Sequence, residues 1–157
     1  ALRDAVMGSF RRYGAWCREQ TAAARRDGVV WSLWQGRPAR RRQLWQIADS
    51  DDKARLRAER ISFNTPIQGG ASEYTTASTV EVVRWIDEDR VPARLVLTVH
   101  DELVLEVRQD VLREAAWQLR SIMTSWATPS DVPLVVDLKV GPSWGAMVPW
   151  EGAVVSC

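Results

Sequence analysis

The stretch Leu95–Val107 reads LVLTVHDELVLEV, and its reading decides the fold. Two apolar runs, Leu95 to Val99 and Leu103 to Val107, flank the single histidine of the chain and two adjacent carboxylates, His100-Asp101-Glu102. Runs of about five apolar, largely β-branched residues read as strands, and so short a gap makes them an antiparallel hairpin. Hairpin tips ordinarily carry Asn-Gly, Asp-Gly or another glycine-bearing pair. This one carries an imidazole and two acids, and a broken local rule between two regular strands marks the place to look for function. Neighbouring carboxylates at the end of an apolar ribbon repel one another and want a positive partner, which a divalent cation with hard oxygen ligands supplies. A solvated turn whose acids face water explains the same spacing equally well.

Around this hairpin stands a chain of 157 residues, 46% hydrophobic and 26% charged, enough for one modest core. No run of eighteen apolar residues and no basic-then-apolar leader is present, so neither a membrane span nor export is indicated, and a cytoplasmic location is the default. Cys17 and Cys157 are too few and too far apart for a disulfide framework, and no Cys/His cluster offers zinc ligands. The net charge of +1 hides an asymmetry: residues 1–60 hold 14 Lys+Arg against 7 Asp+Glu, residues 61–157 hold 7 against 13. A basic arm beside an acidic site suits a protein that grips a polyanion and holds cations for chemistry on it. The chain starts at Ala1 in what reads as mid-helix, so a fragment or the second half of a split protein is expected.

Before the hairpin, Leu2, Ala5, Val6, Ser9, Tyr13, Trp16, Cys17 and Gln20 follow helical spacing, with a break near Gly8-Ser9 and a stop at Gly28. Val29 to Trp34 alternates like a strand, Gln35 to Pro38 turns, and Gln43 to Ile47 reads as the returning strand. That leaves Arg37, Arg40, Arg41 and Arg42 in a loop, either solvated or on phosphates. Asp49 to Asp52 reads as a capped helix start, with Ala54, Ala58 and Ile61 on the buried side and Arg57, Arg60 and Asn64 on another face. Thr65-Pro66-Ile67-Gln68 has the form of a helix restart with Thr65 as N-cap and Gln68 completing a capping box. Ile67, Ala71, Tyr74, Ser78, Val82 and Trp85 then share one face. After the hairpin, Leu112, Ala115, Ala116, Leu119, Ile122, Met123 and Trp126 form a core stripe, Thr128-Pro129-Ser130 a loop, and Leu134 to Val140 a third strand.

Val99-His100-Asp101-Glu102, with an apolar strand on each side, resembles the third conserved motif of the family A DNA polymerases, the bacterial DNA polymerase I type. Glu59 to Gly69, ERISFNTPIQG, resembles the segment with which that family crosses the minor groove of the primer–template duplex, and Gly141-x-x-Trp144 resembles its C-terminal Gly-x-x-Trp. The resemblance covers about residues 9 to 147 and departs from the family's usual Gly-Thr-Ala-Ala-Asp at Gly70, Ser72 and Glu73. It implies an α+β fold: an antiparallel palm-type sheet, the hairpin plus a third strand, packed on long amphipathic helices, with a fingers-derived helix and β-hairpin before it. Residues 1–48 would be fingers-derived, 49–150 the palm and 151–157 a tail. It further implies that Asp101, with Glu102 beside it, holds catalytic Mg2+, and that His100 touches the primer end or orients the turn. Arg57, Arg60, Asn64 and Gln68 would meet the minor groove, and Arg37, Arg40, Arg41 and Arg42 the DNA backbone.

Minor-groove acceptors occupy nearly the same place in every correct base pair, so amide and guanidinium donors there test pairing without reading sequence. The implied partners are primer–template DNA and dNTP. The family's other metal-binding aspartate and its nucleotide-binding helix are expected N-terminal of Ala1, in cis or on a second subunit, so no polymerisation is expected from this chain alone. The competing readings are a catalytically silent duplex-binding remnant and, with less support, a metal-dependent nuclease. The setting would be a bacterial or phage-infected cell.

Overall fold

The computed structural model describes residues 8–126 and 132–150. The expected Thr128-Pro129-Ser130 loop, the apolar positions Leu2, Ala5 and Val6, and the tail 151–157 lie outside the described residues. The chain divides into two compact units, residues 1–73 and 74–157.

The first unit opens with helix α1, Arg11–Asp27, which starts after a break at Phe10. Gly28 ends it as the spacing predicts: its φ of 68° is left-handed, and its N–H donates to the Ala24 carbonyl at 2.8 Å. Arg25 and Arg26 in the last turn complement the negative end of the helix dipole. Strand β1, Val29–Trp34, follows and pairs antiparallel with β2, Arg37–Gln43. The returning strand therefore begins earlier than the expected Gln43–Ile47. The reason lies in the turn: Gln35 and Gly36 both have positive φ, 50° and 77°, the signature of a two-residue type I′ turn, which sets Arg37 opposite Trp34. Between Trp31 and Leu33 the register slips by one, leaving an extra residue on β2 as a bulge.

Helix α2, Asp52–Asn64, starts where the acids predict, with the Asp51 carboxylate accepting from the Lys53 N–H at 3.1 Å. Ala24, Val30, Leu44, Ile47 and Ala58, with Ile61 against them, form the core of this unit. Ser62, fully buried, donates to the Glu59 carbonyl at 2.7 Å and lies 3.3 Å from the Thr21 hydroxyl, while Arg25 pairs with Glu59.

The expected helix restart at Thr65 is not what forms. Thr65 is itself helical (φ −59°, ψ −44°), its hydroxyl is buried with no hydrogen-bond partner among the described residues, and the chain runs through a π-helical turn, Thr65–Gly69, into helix α3, Gly70–Glu88. Proline lacks an N–H and its ring crowds the carbonyl four residues back; a wider turn accommodates both without ending the helix. The same turn shifts the helical phase. Ile67 and Ala71, expected on the buried face, are exposed, and Thr65, Pro66 and Gly70 take the buried positions instead.

In the second unit, α3 contributes the buried residues Ser78 and Val82. The hairpin forms as predicted: β3, Ala93–Val99, pairs antiparallel with β4, Glu102–Val107. A short 3-10 turn, Gln109–Val111, leads into α4, Leu112–Thr124, whose Ala115 and Ala116 are buried on the expected stripe. The Trp126 indole N–H donates to Ser78 Oγ at 2.8 Å. The α+β class holds, but the third strand contracts to β5, Lys139–Val140, and pairs with β6, Val148–Pro149, so each sheet among the described residues has two strands. Pro133, which has no N–H to give to a ladder, stands just before the expected Leu134–Val140 strand. Gly141 is where the Gly-x-x-Trp turn closes, because a side chain there would run into the Ala146 carbonyl.

Candidate nucleic-acid interface and metal site

The hairpin tip is a two-residue turn, His100-Asp101, closed by the pair Val99 and Glu102. His100 sits at φ 54°, in the positive-φ region that glycine, Asn or Asp ordinarily fills in a two-residue hairpin turn. A non-glycine there is held at a cost, and histidine accepts it more readily than β-branched residues do. A bulge at Val96, where the register slips between Leu95 and Leu97, increases the local twist of the ribbon behind the tip. The ribbon is pinned at its far end by the cross-strand pair Arg94–Glu106 at 2.8 Å and by the Arg108 N–H on the Pro92 carbonyl at 3.0 Å.

His100, Asp101 and Glu102 are all exposed. These carboxylates therefore face solvent, contrary to the picture of acids desolvated at the end of an apolar ribbon. Among the described residues no hydrogen bond or ion pair engages the three side chains, and no third His, Cys, Asp or Glu joins them in a cluster that could hold a metal. Two adjacent carboxylates without partners nonetheless suit Mg2+, which commonly takes one or two carboxylates and completes its shell with water and substrate phosphates.

In the first unit, Arg57, Arg60, Asn64 and Gln68 are exposed, and no hydrogen bond among the described residues occupies their side chains. Gln68 is free of the capping role that its spacing suggested, since no cap forms at Thr65. The π turn displaces it from regular helical register with Asn64, an irregularity often found at functional sites.

Arg37, Arg40, Arg41 and Arg42 lie on strand β2, not in the expected loop. Alternation along a strand sends neighbours to opposite faces, so the cluster is split. Arg41 stands opposite Trp31, itself exposed, and donates to Gln43 at 2.9 Å. Arg37 and Arg42 have no partner among the described residues. Arg40 is exposed but partnered: its Nε donates to Glu73 Oε1 at 2.6 Å and its terminal nitrogen to Ser72 Oγ at 3.0 Å.

Glu73, Ser72 and Ser32 were not singled out as site residues by sequence reasoning. Buried Ser32 accepts the Arg40 N–H at 2.9 Å, stapling the β2 bulge, and donates to Glu73 Oε1 at 2.8 Å. The readable sign was a serine at the inward position of β1 and an acid just past the double glycine.

Comparison with known proteins places these elements in context. DNA polymerase family A matches residues 2–146. DNA polymerase I of Pseudomonas aeruginosa is 38% identical over 138 residues, which is 86% of this chain and 15% of that protein. DNA polymerase I of Chloroflexus aurantiacus is 39% identical over 148 residues, 94% of this chain and 15% of its own length. Among solved structures, the POL domain of Pol1 from M. smegmatis, in complex with DNA primer-template and dNTP, superposes with a TM-score of 0.70 at 32% identity, covering 83% of this chain and 23% of that one. The chain thus spans about 15% of the length of these curated relatives.

Proposed function

Because this chain belongs to DNA polymerase family A, we propose that it is the C-terminal part of a template-directed DNA polymerase, with residues 1–48 derived from the fingers and 49–150 from the palm. The observation that carries the reading is the hairpin tip, where Asp101 and Glu102 are exposed and have no partner among the described residues, at the end of a ribbon held by its basal pairs.

In this reading Asp101 is the ligand that this chain gives to a catalytic Mg2+, and Glu102 stands beside it as a weaker or outer ligand. Two carboxylates fall short of a two-metal site, so a further aspartate comes from sequence upstream in cis or on a second subunit. Metal held there would supply positive charge that lowers the pKa of the primer 3′-hydroxyl and offsets charge on the reacting phosphate. His100 holds the turn and meets the primer end. Arg57, Arg60, Asn64 and Gln68 offer donors to the minor groove, where acceptors recur in every correct pair. Arg37, Arg41 and Arg42 meet the phosphate backbone. Arg40 stands beside them on β2 as a further phosphate contact, its charge partly offset by Glu73. The substrates are primer–template DNA and dNTP, and the setting is the cytoplasm of a bacterium or phage-infected cell; among the described residues no helix is long and apolar enough to cross a membrane.

A primer-extension assay with magnesium tests this. The chain alone should incorporate no nucleotide, and supplying the upstream portion of the polymerase should restore incorporation. Extension by the chain alone would refute the division of the site. The absence of a third acid near Asp101 among the described residues favours, as a second reading, a catalytically silent duplex-binding or assembly subunit. Normal synthesis by an Asp101→Ala variant of the completed enzyme would favour that reading.

A further inference from the structure

Resting on the minor-groove reading of Gln68, we propose that Glu73 is the positioning residue for that side chain: it latches the bulged strand β2 onto the π turn that presents Gln68. The turn lies directly on β1. A Cβ at Gly69 would stand 2.8 Å from Ser32 Cβ, and one at Gly70 would stand 2.9 Å from the Leu33 carbonyl oxygen. One helical turn on, the Glu73 side chain, only 12% exposed, gathers two donors on Oε1: the Ser32 hydroxyl at 2.8 Å and Arg40 Nε at 2.6 Å. Arg40 closes the circuit twice. Its backbone N–H binds Ser32 Oγ at 2.9 Å, and its guanidinium binds Ser72 Oγ at 3.0 Å, whose hydroxyl in turn donates to the Gly69 carbonyl at 3.0 Å. Gly69 follows Gln68 directly, so the last bond of the circuit grips the backbone of the probing residue's neighbour.

The latch also accounts for the three departures from the usual family pattern. Gly70 permits the close approach to Leu33, and Ser72 and Glu73 supply the two groups that Arg40 binds. A π turn is a rare departure from regular helical geometry. Without Glu73 the Ser32 hydroxyl, 3% exposed, loses its acceptor, and the strand and the turn lose their tie. Gln68 touches DNA in this scheme and Glu73 does not; Glu73 acts through the backbone that carries Gln68.

The test compares extension from a paired and from a mispaired primer 3′ end in the polymerase completed with its upstream portion. Glu73→Ala should reduce the preference for the paired end on the order of tenfold, because small displacements of a positioned group cost one to two decades. Glu73→Gln, which keeps an acceptor oxygen for Ser32 and Arg40 but not the charge, should recover much of the preference. A purely structural loss would lower both extension rates together and leave their ratio alone, which would overturn the proposal. If Glu73→Ala discriminates as the unaltered enzyme does while Gln68→Ala does not, the latch falls and the minor-groove reading stands. If Gln68→Ala also discriminates normally, both fall.

Discussion

Gly70 packs against Leu33 so closely that a side chain has no room: a Cβ there would meet the Leu33 carbonyl oxygen at 2.9 Å. The helical φ of Gly70, −58°, makes no demand for glycine by itself. On helix propensity alone, Gly70→Ala should stabilise by about 1 kcal/mol. The opposite is expected, a net loss of about 1–3 kcal/mol as for an overpacked contact, because a backbone oxygen in a paired strand cannot swing aside. Equilibrium unfolding in urea measures it, and a raised midpoint for Gly70→Ala would contradict the approach of the turn to β1.

His100 is the counterpart case, where conformation and not space sets the rule. With φ at 54°, replacement by glycine should leave the hairpin at least as stable, and replacement by valine should cost about 1–2 kcal/mol, since a β-branched side chain resists the left-handed region. Thermal unfolding separates the two variants from the parent. If His100 also meets the primer end, His100→Gly will keep its stability and lose extension rate in the completed enzyme. Equal activity would reduce His100 to a turn residue.

How much of this was legible beforehand varies with the kind of interaction. The hairpin was readable from Leu95 to Val107, because two short apolar, largely β-branched runs around a three-residue gap admit few other folds. The Gly28 stop and the Asp51 cap were readable for the same local reason. Pro66 misled, because Thr-Pro-x-Gln satisfies the chemistry of a helix start, and the alternative, a π turn that carries the helix past the proline, leaves no periodic signal. The Arg37–Arg42 cluster misled because charge count hides which face each residue takes, and the type I′ turn that fixes those faces depends on Gln35 adopting positive φ. Nothing local links Arg40 to Glu73, 33 positions away, so the latch becomes visible only with the strand folded onto the turn.

That split of the arginines yields a prediction on salt. Arg42→Ala and Arg60→Ala should each weaken duplex binding and reduce the slope of log affinity against log salt by about one, the signature of one lost phosphate contact or close charge. Arg40→Ala should instead lower the unfolding midpoint and reduce the slope by less, since its charge is partly offset by Glu73. Filter binding or fluorescence anisotropy across a salt series reads the slopes. A full unit of slope lost in Arg40→Ala would mean that the latch opens when DNA binds.

For the tip, Asp101→Asn keeps the size of the side chain and removes the charge. In the completed enzyme, extension should fall by about two to four decades while duplex affinity changes little, since loss of transition-state charge stabilisation acts on the chemical step. Chelation of divalent cations should abolish extension in the parent and the residual extension of Asp101→Asn alike, because the upstream aspartate and the substrate phosphates also hold metal. A variant that extends at the parental rate would remove Asp101 from the reaction.

At the base of the hairpin, Arg108 grips Asp110 through two bonds of 2.5 and 2.8 Å, and the hydrogen bond from the guanidinium holds the Asp110 carboxyl below the usual carboxylate range. A carboxyl with a depressed folded-state pKa binds its proton less readily in the folded chain than in the unfolded one, so the unfolded state takes up more protons as pH falls. The contribution of Asp110 is therefore fully present above its ordinary value of 3.8 and is lost as pH drops through the lower folded value. The pair is open to solvent, so the effect on stability is small and best read directly, by following the Asp110 carboxyl carbon in an NMR titration. Arg108→Gln should bring the midpoint back up towards the ordinary value, with Asp110 otherwise in place in the 3-10 turn before α4. A midpoint that does not move would assign the depression to the backbone N–H groups of Asp110 and Val111 and not to the guanidinium.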